Sequence, residues 1–248
     1  MNKDKIKSWW TSFKARLASV VGPGYLCYIC NRELENPEYP ICKNCIKDMV
    51  KIDGHVCNKC GEPILEMNEI CDTCKTTERA FDVAKACYSY NEASRKVVAD
   101  LKYNKRKYVV PFMAKEMLYK LEDFGVMPDI IVPVPITEKR YKERGFNQAE
   151  LLADELATLL GNAELVDTSI VKRIVDRPPQ ANLSKAERLT NLKGVFELSR
   201  RVKLKDKIVL IIDDVFTTGT TVGEVSSLIK KLKPKAILVL TFAKTTRN

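Results

Sequence analysis

Two groups of residues in this 248-residue chain have types and spacings that could do chemistry. The first is "VLIIDDVFTTGTTVGE", residues 209–224, where an apolar run leads into Asp213 and Asp214 and then, through Val215 and Phe216, into Thr217, Thr218, Gly219, Thr220 and Thr221. Such an apolar run reads as a buried strand, and the glycine among threonines as a tight turn opening a helix. Backbone N–H groups from 217 to 221 would wrap a dianionic phosphate, with threonine hydroxyls as further donors. Gly219 would permit the close approach, and the helix N-terminus would add its positive end. The two carboxylates repel phosphate, so they suit sugar hydroxyls, or a Mg²⁺ that those hydroxyls help to coordinate. A ligand with a phosphate at one end and a diol beside it is a ribose 5-phosphate.

The second group is cysteine. Eight of the nine stand as Cys27/Cys30, Cys42/Cys45, Cys57/Cys60 and Cys71/Cys74, with 11, 11 and 10 residues between successive pairs. Two residues between thiolates let both sulfurs of one turn meet a tetrahedral Zn²⁺, and a second such turn completes the set. Four pairs make two structural zinc sites. Pairing in order gives tandem ribbons and an interleaved cross-brace uses the same cysteines; similar spacers and the "KIDGHV" segment favour tandem. A disulfide framework fits C-x-x-C spacing poorly. A closed four-thiolate site has no open position for water, so this zinc would hold a module together without doing chemistry, and chelation should unfold the first 75 or so residues before the rest. His55 reads as a solvent-facing linker residue, since both sites are full, and Cys87, in the period-2 segment "FDVAKACYSY", as a buried strand residue.

The elements that must position these groups follow from periodicity. Ile6, Trp9, Trp10, Phe13, Leu17 and Val20 recur at helical spacing with lysines and arginines among them, an amphipathic basic helix over 1–24. Such a helix can lie on a membrane surface, although a stripe this short fits packing on its own protein. Beyond residue 80, strands over 81–90, 129–135, 165–174, 207–214 and 235–243 alternate with helices over 92–103, 108–124, 146–160 and 221–232. That alternation implies βαβ units and a mainly parallel sheet, with ligands at the carboxyl ends of its strands. Three parts are expected: the helix at 1–24, a double zinc-ribbon module at 25–78 and an α/β domain at 79–248.

The formal charge is +10, and residues 81–248 carry 30 Lys/Arg against 21 Asp/Glu, so nine of those ten charges lie there. Basic runs such as "KYNKRK" (102–107) and "KRYKER" (139–144) would attract phosphate-bearing partners, solubility being the plainer reading. No segment is long and apolar enough to span a membrane, and the first residues lack the pattern of a secretory signal, which places the expectation in the cytoplasm.

From Val209 to Thr221 the chain resembles the thirteen-residue phosphoribosyl pyrophosphate (PRPP) motif of type I phosphoribosyltransferases. More broadly, paired cysteines followed in order by "LKYNKRK", "VPVPITEKRYKERGFNQAELLA", "RPPQANLSKAERLTNLKGVF" and "DDVFTTGTT" resemble the ComF family, zinc-bearing phosphoribosyltransferase-like proteins associated with DNA uptake in competent bacteria. Arg177, before "PPQ", departs from the threonine common in that pattern. The resemblance implies a type I phosphoribosyltransferase fold, two structural zinc ions, and Mg²⁺ with PRPP. It implies that Asp213 and Asp214 hold ribose hydroxyls, that Val215 to Thr221 include the 5′-phosphate cradle, and that the turn after "VPVP" meets pyrophosphate with Arg140 and Arg144 close by. A loop over 173–191 would close on the site, bringing Arg173, Gln180, Arg188 and Asn191.

Three functions are compatible with these readings. One is a protein handling single-stranded DNA during natural transformation, in which the pocket accepts a phosphoribosyl unit, and Lys102, Lys105, Arg106 and Lys107, near Tyr103, Tyr108 and Tyr141, hold the strand. Competence-machinery proteins and a peripheral membrane contact through the N-terminal helix are the further partners implied. The second is a nucleobase or amidophosphoribosyl transferase of nucleotide metabolism, for which no base-reading hood is evident; the third is a PRPP sensor without turnover.

Overall fold

The computed structural model describes residues 26–34, 40–65, 67–175, 194–199 and 202–247. The helix expected over 1–24, and Arg177, Gln180, Arg188 and Asn191, lie outside them. The chain forms two compact units, Met1–Met49 and Val50–Asn248. The division runs between the two cysteine clusters, so the second cluster shares a unit with everything that follows it.

In the smaller unit, Cys42 caps the short helix α1 (Lys43–Asp48). In the larger, Cys71 caps α2 (Asp72–Thr76) in the same way. A four-stranded sheet then forms in the order β1 (Val83–Ser89), β6 (Ala236–Lys244), β5 (Ile208–Phe216), β2 (Ile130–Pro133), with every neighbouring pair parallel. Parallel strands need covered faces, and Val209, Leu210, Ile211 and Ile212 of β5 are wholly buried on both. One face packs under α4 (Val110–Leu121) and α6 (Gln148–Leu159), with Phe112 and Tyr88 against Phe242 of β6. The other carries α7 (Thr220–Lys230) and the second cysteine ribbon in one core, in which Cys57, Cys60 and Cys71 pack with Phe81, Val209, Phe216, Val222 and Val239.

Backbone bonds join that ribbon to the sheet. Ile52 N–H donates to the Cys87 carbonyl (2.9 Å), and Ala84 N–H to the Lys59 carbonyl (2.9 Å). Gly61 permits the approach, since a Cβ there would stand 2.7 Å from the Ala84 oxygen.

Two departures from the periodicity reading have local causes, and one expected helix has a clear start signal. The strand expected over 165–174 is broken. Val166 makes a single parallel bridge to Ile131, Asp167 then accepts from the Ser169 N–H (2.9 Å) and turns the chain, and β3 (Val171–Arg173) pairs antiparallel with β4 (Phe196–Leu198) instead. Asx turns of this kind compete with a ladder. A helix not anticipated, α5 (Glu138–Arg144), is capped by Thr137 and ended by Gly145 at φ 83°; it is charged on every side and carries no apolar period. Helix α3 (Glu92–Lys102) begins at a capping box between Asn91 and Ser94.

Candidate functional site at the carboxyl edge of the sheet

Register brings the site together. β2 pairs with β5 so that Pro133 stands opposite Ile212, and Val134 N–H donates to the Ile212 carbonyl (2.9 Å). The two strands therefore leave the sheet side by side, one into the 134–137 turn and the other into Asp213 and Asp214. Asn147 ties the next element to the same edge: its side chain donates to the Val134 carbonyl (3.0 Å) and accepts from Ala149 N–H (3.0 Å), capping α6. That places Gln148 over the acidic pair, where its amide donates to Asp214 Oδ1 (3.4 Å) and accepts from Arg144 Nη1 (2.8 Å).

Asp214 is 2% exposed, and its charge is met by Lys102 at the end of α3, which forms an ion pair with Oδ2. Burial alone would raise the Asp214 pKa, but the Lys102 ammonium and hydrogen bonds from Lys102, Asp213 and Gln148 outweigh it and hold the carboxyl below its ordinary value. Asp213 is displaced the other way, well above the ordinary value, by burial first and then by the charge of Asp214. For Lys102, burial pulls the pKa down, and Asp214 and Asp213 more than reverse it. The edge thus holds two buried carboxyls displaced in opposite directions, with the Lys102 ammonium paired to Asp214.

After Phe216 the chain turns at Gly219 (φ 76°) into α7. Glycine is required there on two grounds: the left-handed backbone, and a Cβ that would stand 2.4 Å from the Phe216 ring and 2.9 Å from Arg79 Nη1. Thr218 and Thr220 hydroxyl oxygens are 2.6 Å apart, Thr217 is exposed, and Val215 stays in the ladder opposite Ala243. The first turn of α7 leaves N–H groups without helical partners, which is the electrostatic requirement for binding an anion.

Of the four lysines and arginines in the 102–107 run, only Lys105 and Lys107 are exposed. Lys102 belongs to the acidic pair, and Arg106 is engaged by the buried Asp100 (3.3 Å). Tyr103 is 71% exposed with the Arg144 guanidinium over its ring (5.7 Å), so Arg144 links that ring through Gln148 to Asp214. Arg140 contributes its backbone N–H to the Thr137 cap (3.3 Å). Arg173 donates from Nε to the Val175 carbonyl (3.3 Å) and lies over Phe196, within the β3–β4 pair.

Two groups important to this geometry have little signal in the sequence. Gln148 lies within the quoted "GFNQAELLA", where its helical position is readable but its partner is not. Arg79 follows the last cysteine pair in "TERAFD", outside any motif; its Nη1 donates to the Thr218 carbonyl (2.9 Å).

The cysteines gather as Cys27, Cys30, Cys42, Cys45 and as Cys57, Cys60, Cys71, Cys74, the tandem order, with all four sulfurs of each set within 4.8 Å of one another. The Cys30–Cys42 and Cys60–Cys71 sulfurs are 3.7 and 3.6 Å apart. Tetrahedral zinc at about 2.3 Å from each sulfur requires about 3.8 Å between them. Arg32 draws the Cys30 thiol down to about 6, whereas burial raises Cys45 and Cys60 above the ordinary thiol range. A divalent cation would hold all four of each set as thiolates. His55 stands outside both sets, its ring 2.5 Å from the Asn68 carbonyl, and Cys87 is buried in β1.

Comparison with known proteins agrees with this architecture. Residues 120–247 match the phosphoribosyl transferase domain and residues 18–75 the double zinc ribbon domain. The chain is 31% identical to the DNA utilization protein YhgH of Salmonella typhimurium, covering 84% of this chain and 91% of that one. It is 28% identical to competence protein F of Haemophilus influenzae, covering 87% and 95%. The chain belongs to the ComF family. Competence protein ComFC of Bacillus subtilis is 24% identical, with 79% of this chain and 85% of that one covered. A purine phosphoribosyltransferase from Pyrococcus horikoshii aligns at 19% identity and a TM-score of 0.37, over 56% of this chain and 83% of that one. This ComF-family chain therefore joins a phosphoribosyltransferase-like α/β fold to two structural four-cysteine zinc sites. Among the described residues no helix is long and apolar enough to cross a membrane.

Proposed function

We propose that the edge formed by Asp213, Asp214 and the 217–221 turn binds PRPP, or the phosphoribosyl end of a nucleotide, and that the protein uses this pocket in handling single-stranded DNA during natural transformation. The observation that carries the reading is the pair of buried carboxyls, Asp213 and Asp214, at the end of a parallel strand that runs straight into a left-handed glycine turn. Asp214 offers a charged acceptor for a ribose hydroxyl, Asp213 a second carboxyl, displaced upward by burial, that a cation would favour in its charged form, and the turn an anion site. Mg²⁺ brought with PRPP would be met by these two carboxylates and would neutralise pyrophosphate charge. The names of the relatives, competence proteins and a DNA utilization protein, support the biological setting.

Exposed Tyr103, Tyr108 and Tyr141, with Lys105 and Lys107, give the surrounding surface the composition that single strands favour: rings for bases, cations for phosphates. Lys102 serves the pocket in this reading and is not a strand contact.

The test is calorimetric titration of the zinc-loaded chain with PRPP and Mg²⁺, followed by pyrophosphate release over a panel of bases and single-stranded DNA. Binding that Asp213→Asn with Asp214→Asn abolishes supports the pocket; unaltered affinity of that variant refutes it. Lys105→Gln with Lys107→Gln should flatten the salt dependence of single-strand binding by about 1.4 in log–log slope, two phosphate contacts at about 0.7 each; an unchanged slope removes that surface.

A further inference from the structure

We infer that Arg79 is a positioning residue for the phosphate turn, through which the second cysteine ribbon sets the anion affinity of a site it does not itself line. The inference rests on the phosphate reading of residues 217–221 given above.

Arg79 lies five residues beyond Cys74, where the ribbon hands over to the sheet. Its Nη1 donates to the Thr218 carbonyl (2.9 Å), the same nitrogen would meet a Cβ on Gly219, and its Nε is buried without a hydrogen-bond partner. In a trans peptide the carbonyl oxygen and the following N–H point to opposite sides of the plane. Holding the Thr218 oxygen toward the guanidinium therefore turns the Gly219 N–H away from it, to the open side of the turn. Without that bond, a peptide next to a glycine is free to rotate, and the carbonyl oxygen could then face an incoming phosphate, which it would repel. A guanidinium beneath the turn also adds positive charge where the ligand is anionic, and it cannot be lost by deprotonation.

The ring beside this contact is held by the same ribbon and its exit segment. Phe81 meets Phe216 edge-on (6.1 Å), and the Lys244 ammonium lies over the Phe216 ring (4.2 Å) while pairing with Glu62, between Cys60 and Cys71 (3.1 Å). Glu62 and Lys244 are both buried, so the pair is a rigid support. The turn thus rests on side chains whose positions depend on the second four-cysteine site.

The experiment compares wild type, Arg79→Ala and Arg79→Lys as full zinc-loaded chains. Three quantities are read: ribose 5-phosphate affinity by calorimetry, the ¹⁵N–¹H shift of the Gly219 amide on adding that ligand, and zinc content. A hydrogen bond involving a charged group implies a loss of roughly 10- to 100-fold in affinity for Arg79→Ala. Its Gly219 amide should no longer move, zinc should remain at two per chain, and Arg79→Lys should recover part of the affinity. Equal affinity of Arg79→Ala and wild type overturns the inference while leaving the phosphate site standing. Should Arg79→Ala lose zinc or fail to fold, Arg79→Lys decides: wild-type affinity overturns the inference, and weakened affinity with zinc retained upholds it. Absence of ribose 5-phosphate binding by wild type overturns the phosphate reading and this inference together.

Discussion

Replacing Lys102 by methionine removes the ammonium and keeps most of the stem, so its effect isolates the charge at the sheet edge. In the wild type the Asp214 side chain is 3% exposed and Lys102 21% exposed, and the two form a contact ion pair. Once the ammonium is gone, Asp214 retains hydrogen bonds with Gln148 (3.4 Å) and Asp213, neither of which supplies positive charge. Removing one partner of a buried pair costs about 3–5 kcal/mol. At about 2–4 °C per kcal/mol for a unit of this size, melting at neutral pH should fall by roughly 6–20 °C.

The pH dependence separates this cause from lost packing. In the wild type the Asp214 pKa is depressed, so its stabilising contribution is present above the ordinary carboxyl value and is lost only as pH falls through the lower folded value. In Lys102→Met, burial acts unopposed and the Asp214 pKa rises. The folded variant then takes up a proton as pH falls from neutral toward the ordinary carboxyl range, and it recovers stability there by up to about 1.4 kcal/mol per pH unit. The gap between wild type and variant should therefore narrow from about pH 7 to about pH 5, and Asp214→Asn in the Lys102→Met background should restore part of the loss. Chemical denaturation across that range is the assay. A gap below about 1 kcal/mol at neutral pH, or one that stays constant with pH, would refute the reasoning.

Gly219→Ala combines a left-handed backbone at φ 76° with a Cβ 2.4 Å from the Phe216 ring, so it should cost about 2–5 kcal/mol in urea unfolding and abolish ribose 5-phosphate binding; wild-type stability would show that the turn relaxes freely. Because Asp213 holds its proton well above the ordinary range, Mg²⁺ and PRPP binding should release up to about one proton, and Asp213→Asn should release none, as read by calorimetry in two buffers of different ionisation enthalpy. Cys60→Ser should lower the melting of the larger unit and remove its ribose 5-phosphate binding, whereas Cys45→Ser should act on the smaller unit, with zinc content falling by one in each. Independent melting of residues 57–74 from the sheet in Cys60→Ser would contradict their membership of its core.

That last contrast shows what cysteine spacing discloses and what it does not. Repeated C-x-x-C pairs state the donor set and the metal, because tetrahedral geometry is local, but they leave tandem and interleaved pairing open, and the gathered sulfurs show the tandem order. They do not state that the second ribbon joins the core of the α/β unit, since that depends on Gly61 lying against Ala84 and on Phe81 meeting Phe216. The two ribbons that match one double zinc ribbon domain over residues 18–75 thus differ in their packing, the second sharing the core of the larger unit. The same limit applies to charge: "KYNKRK" reads as one basic run, yet α3 ends at Lys102, which turns to Asp214, while Lys105 and Lys107 beyond the helix are exposed, the Lys107 ammonium over the Phe146 ring (4.9 Å). The run was legible as charge but not as two different environments. Conversely, the apolar strand, the paired aspartates and the threonine–glycine turn were legible in full, because a buried parallel strand dictates where its carboxyl end emerges. What escaped was the long-range partner of each group: Lys102 and Gln148 for the carboxyls, Arg79 for the turn. None of these partners is adjacent in sequence to what it holds, and each is set by packing rather than by a repeat. The aspartate–threonine motif therefore locates the carboxyl edge of this sheet, whereas its partners are set by packing: Lys102 and Gln148 come from other quoted segments whose pairing with it is not readable, and Arg79 from none.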